Sequence, residues 1–445
     1  MLPRARRLLC LMLALLLFSA LPLSAGALAP LPELHCEAAL VIHPDTGLVL
    51  YGKNPDRQLP SSSLVKIMTA ILALEHFSDL SQTLEVSSSA LENLTGVATA
   101  SLKEGEVLTV EQLLYCLLLP SAADAANVLA QGVSGDIESF VSLMNQKAEA
   151  LSMKNTHYVN TYGRDDDLQY TTASDLAKLV QYALKNQTFC DMVSTQYKRI
   201  AKTNLSSDRY YFSNNALIIS STDRRKLEDY YYRYADGVMT GYSAEAGYNL
   251  AACSSKGGMQ LISIILGSTR DAQSGTKHHY TDAMSLMDWC YENLQYTELL
   301  TTQSPVCEVQ VELSAAKDSV ALVALDDLYA VIPTEITAEE LTAQYVVPDY
   351  VEAPITKDQV IGQAIFTYGG VEYARCDLHA QSDVERSALL LVLHRIGAFL
   401  SGKYAKITFV VLILFALVYF GLTLLLNKRR RASRRPRPRR PKRYR

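Results

Sequence analysis

The sequence predicts a mixed α/β domain, then a small all-β domain, then one transmembrane helix, along a chain of 445 residues. Helical and strand patterns are mixed in the first segment, which we place at 30–295. Short alternating runs punctuated by Pro348 and Pro354 place the β-domain at 296–380. An uncharged apolar run at 407–426 provides the transmembrane element. Hydrophobic residues make up 49% of the chain, which supports packed cores in both folded domains.

Several segments of the first domain carry clear local signals. Continuous apolar runs predict buried helices, and apolar runs beside turn residues predict paired strands. The expected helices cover 64–74 and 111–119, with a third beginning at 124–129; the expected strand pairs lie on either side of the turn at 44–47 and join 248–253 to 259–266. These elements make the first domain mixed α/β.

The N-terminus is typical of a secretory signal peptide, which we place at residues 1–29. Three arginines precede a short apolar stretch at 8–17, and small residues in an A-x-A pattern follow at 25–29. An uncleaved anchor is the alternative, but the apolar stretch is shorter than a membrane span requires. The mature chain is therefore expected outside the cytoplasm.

The run at 407–426 has the length of about 20 residues that a helix needs to cross a bilayer. Residues 428–445 then hold twelve Lys or Arg and no acidic residue. By the positive-inside rule, the basic tail at 427–445 stays in the cytoplasm and the bulk of the chain lies on the other side. A nucleic-acid-binding tail is the competing interpretation, although a basic segment directly after a span needs no such partner.

A juxtamembrane segment at 381–406 joins the β-domain to the span. Its apolar residues between 389 and 400 recur at helical spacing, with His394 and Arg395 among them. An amphipathic helix lying on membrane lipid and a plain helical linker explain this pattern equally well.

Charge is unevenly distributed along the chain. Three of the 42 Lys and Arg residues lie in the signal peptide and twelve in the tail, so 27 basic residues face 46 acidic ones in the exported part. The formal net charge of −4 therefore conceals a strongly acidic exported surface. Such a surface does not attract nucleic acid by charge, so we expect no nucleic-acid partner.

Cysteine and histidine spacing gives no signal for a metal or a cofactor, and we expect neither. The seven cysteines after the signal peptide are scattered, odd in number and without a C-x-x-C pair, which argues against a disulfide framework and a zinc site. Cys116 and Cys253 lie in apolar runs and are predicted to be buried thiols. The pair His278-His279 is interpreted as part of a solvated loop, because we find no acid or cysteine at ligand spacing.

Ser63 and Lys66 carry the strongest chemical signal in the sequence. Serine is a weak nucleophile and needs a base within hydrogen-bond reach. Positions i and i+3 lie on the same face of a helix, and desolvation keeps a lysine neutral enough to accept the serine proton. Ser61 and Ser62 have no lysine three residues on, so Ser63 is the candidate nucleophile and Lys66 the candidate base.

Two further motifs follow this pair along the chain. After Ser63-Leu64-Val65-Lys66 come Ser121-Ala122-Ala123 and Met239-Thr240-Gly241, in the order of the S-x-x-K, S-x-N and K-T-G elements of penicillin-recognising serine enzymes. The surrounding sequence resembles the low-molecular-weight penicillin-binding proteins, the serine D-alanyl-D-alanine carboxypeptidases of peptidase family S11. The resemblance is carried by 43–51, 60–70, 117–127, 153–160 and 236–250 and, in the β-domain, by 353–355 and 359–362.

This resemblance implies a fold and an activity. The implied fold is a β-lactamase/penicillin-binding transpeptidase-like domain, an antiparallel sheet covered by helices, followed by the small all-β domain. In the implied carboxypeptidase reaction, Ser63 forms an acyl-enzyme with Lys66 as base, and Ser121 takes part in proton transfer. Backbone N–H groups of the nucleophile and of the strand with the third motif stabilise the oxyanion.

The resemblance also implies the binding residues and the partners. Met239, Thr240 and Gly241 are the implied substrate-binding residues. The implied ligands are peptidoglycan stem peptides and β-lactam antibiotics, the latter as acylating inhibitors, and membrane lipid surrounds the anchor. The protein is expected as a single-pass protein of a bacterial cell membrane, with its catalytic domain extracytoplasmic.

Two residues depart from the family pattern. Ala123 stands where the second motif ends in Asn, and Met239 stands where the third begins with Lys. The alternative function is therefore a catalytically weakened or inactive cell-wall-binding relative. A β-lactamase is disfavoured, because we find no clear counterpart of its deacylating Glu. Arg164 and Arg233, in flanking segments, are candidates to replace the missing cation.

Overall fold

The computed structural model describes residues 30–220 and 230–432, which separate into two compact units. The first unit holds the described residues up to Thr297 together with Tyr329–Glu340, and the second holds Glu298–Leu328 and the described residues from Leu341 onward. The predicted signal peptide and residues 433–445 of the basic tail lie outside the described residues. The domain boundaries placed from the sequence stay predictions.

Antiparallel strands build the centre of the first unit. The strands are β1 (Ala38–Ile42), β2 (Val49–Lys53), β3 (Thr83–Glu85), β4 (Val107–Thr109), β5 (Tyr197–Ile200), β6 (Arg209–Phe212), β7 (Ala235–Ser243), β8 (Gly247–Lys256) and β9 (Met259–Ser268). Within the described residues, one sheet has the order β2-β1-β9-β8-β7, so β7 lies at its edge. The two predicted strand pairs are confirmed as β1 with β2 and β8 with β9.

Both faces of the sheet are buried along β1 and most of β9, which explains why these two strands are largely apolar. Every residue of β1 is buried. Because side chains alternate across a strand, Ala38 and Leu40 join one hydrophobic core, while Ala39 and Val41 join the other. A slip of one residue would exchange the two sets, so the two cores together fix the register of the strand.

Helices cover the sheet and form a helical region beside it. They are α1 (Val65–His76), α2 (Val110–Leu118), α3 (Ala123–Ser134), α4 (Ile137–Ala150), α5 (Ala173–Ala183), α6 (Gln187–Val193) and α7 (His278–Asn293). The three predicted helices are confirmed as α1, α2 and α3. Helix α1 is enclosed by α2, α3 and α5, and most of its first nine residues are buried. The chain thereby places the N-terminus of a buried helix against the edge of the sheet.

The second unit is β-rich, as the sequence predicts. Strands β10 (Leu294–Leu300) and β13 (Leu328–Pro333) pair with each other, and most of their residues belong to the first unit. The strands of the second unit are β11 (Pro305–Glu312), β12 (Ser319–Val323), β14 (Thr342–Val346), β15 (Tyr350–Glu352), β16 (Val360–Tyr368) and β17 (Val371–Ala380). A six-stranded sheet has the order β14-β16-β17-β12-β11-β15. Adjacent strands in this sheet run antiparallel, except that β11 and β15 run parallel to each other.

Two apolar helices end the described chain, α8 (Ala388–Ser401) and α9 (Lys403–Ala432). The segment Lys406–Arg429 of α9 is long and apolar enough to cross a bilayer. Its large side chains are exposed, with Phe415 at 71% and Tyr419 at 72%, as expected for a helix surrounded by lipid rather than protein. The predicted apolar helix is confirmed, and it is consistent with membrane anchoring. Both interpretations of the juxtamembrane segment remain open.

Candidate active site

Ser63 and Lys66 meet at the start of α1, as their spacing predicts. A short 3-10 turn at Ser62–Leu64 leads directly into the helix, so the serine and the lysine stay one turn apart. Lys66 Nζ lies 3.2 Å from Ser63 Oγ. This separation is within reach for proton transfer between the amine and the hydroxyl.

Burial makes Lys66 a plausible base. The residue is 3% exposed, and its Nζ donates a hydrogen bond of 2.6 Å to the carbonyl oxygen of Tyr162. Desolvation lowers the pKa of Lys66 to about 7, although the negative charge of Asp124 acts in the opposite direction. The amine is therefore neutral in a large fraction of molecules near neutral pH, when it can accept a proton.

The Tyr162 carbonyl that holds Lys66 is fixed by a polar loop. The side-chain oxygen of Asn160 accepts hydrogen bonds from the backbone N–H groups of Tyr162, Gly163 and Arg164, at 3.3, 2.7 and 3.1 Å. The preceding carbonyl, that of Thr161, accepts a 2.6 Å hydrogen bond from the Thr69 hydroxyl on α1. The loop and the helix that carries the lysine are therefore locked together.

Ser121 presents a hydroxyl without a hydrogen-bond partner among the described residues. Its backbone has a φ of +62°, a left-handed conformation that L-residues adopt rarely and at some energetic cost. The Oγ atom is buried, and Ser121 lines the same cavity as Ser63 and Lys66. The following residues are apolar, and Ala123 is fully buried in the hydrophobic core.

Strand β7 approaches the serine turn so closely that only glycine fits at one position. A Cβ on Gly241 would lie 2.9 Å from the backbone nitrogen of Ser63 and would overlap Ser62 Oγ. From β8, Asn249 Nδ2 donates hydrogen bonds to the carbonyl of Pro60 and to Ser62 Oγ, at 3.0 and 3.2 Å. Sequence reasoning missed Asn249, although an amide inside an apolar strand was an available signal.

The cavity above the serine has a volume of about 1210 Å³. The predicted site residues that line it are Ser63, Lys66, Ser121, Thr240 and Gly241. The predicted substrate contact Met239 does not line it: this side chain is 2% exposed and belongs to the buried core. Met239 lies on the same side of β7 as Gly241, which approaches the serine turn, but its apolar side chain packs into the hydrophobic core there instead of lining the cavity.

The two arginine candidates have different surroundings. Arg164 lines the cavity and donates a 2.6 Å hydrogen bond to the carbonyl of Thr95. Arg233 is not among the described residues that line the cavity; its guanidinium lies over the ring of Tyr234 and hydrogen-bonds the hydroxyl of that residue. Lys277 also lines the cavity, and sequence reasoning did not single it out.

The solvated loop predicted for His278-His279 is wrong. Both residues lie in the first turn of α7, and His279 is buried, lines the cavity and stacks on Tyr248 with ring centroids 5.0 Å apart. Burial, together with the neighbouring charges of Lys277 and His278, lowers the pKa of His279 to about 3. The imidazole of His279 is therefore neutral at physiological pH.

The thiol predictions agree with the structure. Cys116 and Cys253 are buried and free, as expected from their apolar surroundings. The other described cysteines are also free, so no disulfide is found between described residues.

Comparison with known proteins gives two family matches. Residues 25–270 match the family described as D-alanyl-D-alanine carboxypeptidase, and residues 295–386 match the C-terminal domain of penicillin-binding protein 5. The D-alanyl-D-alanine carboxypeptidase DacF of Bacillus subtilis is 27% identical over 366 residues, covering 81% of this chain and 88% of the relative. DacA of Haemophilus influenzae is 26% identical over 369 residues, covering 80% and 87%.

Solved structures give the same result. Penicillin-binding protein 5 from Haemophilus influenzae matches with a TM-score of 0.70 and 25% identity, covering 81% of this chain and all of that chain. The DD-transpeptidase of Streptomyces K15 matches with a TM-score of 0.52 and 29% identity, covering 59% of this chain and 98% of that chain. The first match extends over most of the chain, and the second covers a shorter part.

The lowered pKa of Lys66 predicts how acylation of Ser63 depends on pH. Below about pH 7 the amine is protonated and cannot accept the serine proton, so the rate should fall about tenfold per pH unit below pH 6. The measurement is the second-order rate constant for labelling of the full chain in detergent by a fluorescent penicillin, from pH 5 to 9. Lys66→Arg, which keeps its proton throughout, should label slowly without this rise. A flat profile for the unmodified protein would contradict the assignment.

Proposed function

Because this chain belongs to the D-alanyl-D-alanine carboxypeptidase family, peptidase S11, we propose that Ser63 is its nucleophile and Lys66 its general base. The family predicted from the three motifs is confirmed, and the chain is a serine-type D-Ala-D-Ala carboxypeptidase that acts on peptidoglycan. One observation carries the residue assignment: the buried Lys66 amine, with its pKa lowered to about 7, lies 3.2 Å from the Ser63 hydroxyl.

The proposed reaction begins when Lys66 Nζ takes the hydroxyl proton of Ser63 and Oγ attacks the carbonyl carbon between the two D-alanines. Negative charge develops on the carbonyl oxygen, where backbone N–H groups of Ser63 and β7 stabilise it. The C–N bond breaks, the proton passes to the departing D-alanine amine, and an ester on Ser63 remains. Water then attacks the ester with Lys66 again as base, which releases the shortened peptide and restores Ser63.

Ser121 is proposed to pass the proton between Lys66 and the departing amine. A buried hydroxyl without a partner costs roughly 1–3 kcal/mol, so such a group gains most when a substrate atom completes its hydrogen bonding. The Ser121 hydroxyl is in that state among the described residues, and it lines the cavity that Ser63 and Lys66 line. These observations support a role in proton transfer rather than in packing.

The alternative, a weakened or inactive binding relative, has a specific observation in its favour. Ala123 and Met239 are both buried in the hydrophobic core, so the polar groups expected at the second and third motifs are replaced by apolar packing. A hydrogen bond to a charged group is worth roughly 1.5–3 kcal/mol, and a positioned proton-transfer group roughly 10²–10⁴ in rate. Because both losses affect one network, they will not simply add.

A carboxylate-binding cation is still available in this cavity. Arg164 and Lys277 both line it, so a cation in this cavity does not depend on the motif position held by Met239. Penicillins and D-alanyl peptides both end in a carboxylate, so one cation can serve both. We propose that Arg164 takes this role, because its guanidinium is held by the carbonyl of Thr95, another residue that lines the cavity.

The membrane arrangement is also proposed. The apolar segment Lys406–Arg429 anchors the chain in membrane lipid, with the basic tail in the cytoplasm by the positive-inside rule. The catalytic domain then faces the cell wall of a bacterium, where peptidoglycan stem peptides are its substrates and β-lactams acylate Ser63. An acidic exported surface gives no basis for binding nucleic acid.

Ser63→Ala tests the nucleophile directly. It should abolish covalent labelling by a fluorescent penicillin and D-alanine release from a D-Ala-D-Ala peptide, because among the described hydroxyls only that of Ser63 hydrogen-bonds the Lys66 amine. Ser61→Ala is the matched control, a neighbouring buried serine that does not line the cavity, and should retain both activities. Labelling without release from the unmodified protein would favour the weakened relative, and neither activity would favour a binding role.

Restoring the motif residues tests the role of the two departures. The pair of substitutions Ala123→Asn and Met239→Lys should raise D-alanine release by about 10²-fold, because it returns an amide and an ammonium to the proton-transfer network. Met239→Leu keeps the site apolar and should leave release unchanged. If the double variant unfolds at a temperature close to that of the unmodified protein yet gains no activity, the alignment of these motifs is wrong.

Arg164→Ala tests the proposed carboxylate contact. Loss of a charged hydrogen bond worth roughly 1.5–3 kcal/mol should lower kcat/KM for the peptide about 10- to 100-fold, mainly through KM. Arg233→Ala, which removes an arginine outside the described lining, should have little effect. The proposal fails if both variants release D-alanine at the unmodified rate. It also fails if Arg164→Ala lowers kcat/KM for a peptide amidated at its C-terminus as much as it lowers kcat/KM for the free acid.

A further inference from the structure

Two histidines and a buried aspartate meet at the start of α7, beside the cavity but outside its described lining. His35 precedes β1, whereas His278 and Asp282 occupy the first two turns of α7. The ring nitrogens and carboxylate oxygens of these residues all lie within 4.8 Å of one another. The sequence interpretation that no acid stood at ligand spacing from His278 is wrong, because positions i and i+4 share one helix face.

The three side chains are held in place by their surroundings. Asp282 Oδ2 accepts a 2.8 Å hydrogen bond from the backbone nitrogen of His35, and its side chain is 2% exposed. The His35 and His278 rings stack with centroids 3.9 Å apart and planes at 12°. Both histidines also hydrogen-bond the backbone of Thr269, which follows β9: its N–H donates to the carbonyl of His35, and its carbonyl accepts from His278.

This set of atoms has the chemistry of a transition-metal site. Zinc takes imidazole nitrogen and carboxylate oxygen at about 2.0–2.2 Å, which puts the ligand atoms of a tetrahedral site about 3.3–3.5 Å apart. His35 Nδ1 and Asp282 Oδ1 are already 3.3 Å apart. The His35 side chain is 44% exposed, so an ion and a completing water can enter from solvent.

An ion pair between His35 and Asp282 is the simpler explanation of why these side chains are close, but it does not explain the position of His278. It leaves the second imidazole, that of His278, stacked on the first. The ligand atoms of His278 nevertheless lie within 4.8 Å of those of His35 and Asp282, close enough for one ion to reach all three residues. A shared cation uses the carboxylate and both imidazoles once one ring turns out of the stack, so that the in-plane lone pairs of both rings point at the ion.

We propose that His35, His278 and Asp282 bind one zinc ion or a similar divalent transition metal. The site is structural: it ties the N-terminal segment before β1 to the first turns of α7. Because Lys277 and His279 flank His278 and line the cavity, bound metal also fixes one wall of the serine–lysine site.

The test uses the full chain in detergent, freed of metal by chelator and dialysis, and titrated with Zn²⁺ in a calorimeter and with Co²⁺ by absorption. One equivalent should bind, with cobalt bands of a four- or five-coordinate site, and Zn²⁺ should raise the melting temperature. His35→Ala, His278→Ala and Asp282→Asn should each weaken binding at least tenfold. His76→Ala, which removes an exposed histidine at the end of α1, should bind as the unmodified protein does.

Each readout is independent of the carboxypeptidase reaction, and unfolding of a variant is recognised from its melting temperature without metal. His278→Gln serves where His278→Ala does not fold. The proposal is overturned if the unmodified protein binds no Zn²⁺ or Co²⁺ at a free metal concentration of about 100 µM, at which any site with a Kd below that value would be mostly filled. It is equally overturned if binding survives in folded His35 and His278 variants.

Discussion

A lysine that folding removes from water is the constraint on which the rest of this structure depends. Burial of Lys66 disfavours its charged form and lowers its pKa to about 7, against the opposing charge of Asp124. The family pattern would place a second ammonium nearby, which would also disfavour a charge on Lys66. Here Met239 holds that position, so desolvation by α1 and its neighbours is the principal cause of the neutral amine.

The same burial explains why loops and strands converge on the serine turn. Gly163 has a φ of +88°, and a Cβ there would overlap the carbonyl oxygen of Ser62. Gly241 approaches the turn from β7 and also leaves no room for a Cβ, and the Asn249 side chain on β8 donates a hydrogen bond to Ser62 Oγ in the turn. The site is thus enclosed by the sheet on one side and by the Tyr162 loop on the other. The packing of the first unit therefore also sets the geometry of the serine–lysine site.

Much of this arrangement was predictable, for reasons that differ between residues. Ser63 and Lys66 are close because helical spacing alone brings them together, and the confirmed helices and strand pairs have equally local signals. The roles of Asn249 and Lys277 could not be predicted from spacing, because both residues are far in sequence from Ser63 and Lys66 and only folding brings them to the site. The environment of Met239 was missed for a third reason: an apolar side chain at a motif position packs into the core instead of lining the cavity, and a motif match does not show this.

The most direct measurement of this account is the pKa of Lys66 itself. Lysines labelled with ¹³C at Cε can be titrated by NMR in the full chain, with the Lys66 signal identified by its absence in Lys66→Arg. We expect a midpoint near 7, set by desolvation of the buried amine. A midpoint close to the ordinary lysine value of about 10.4 would show a charged amine beside Ser63 and would contradict its role as the base.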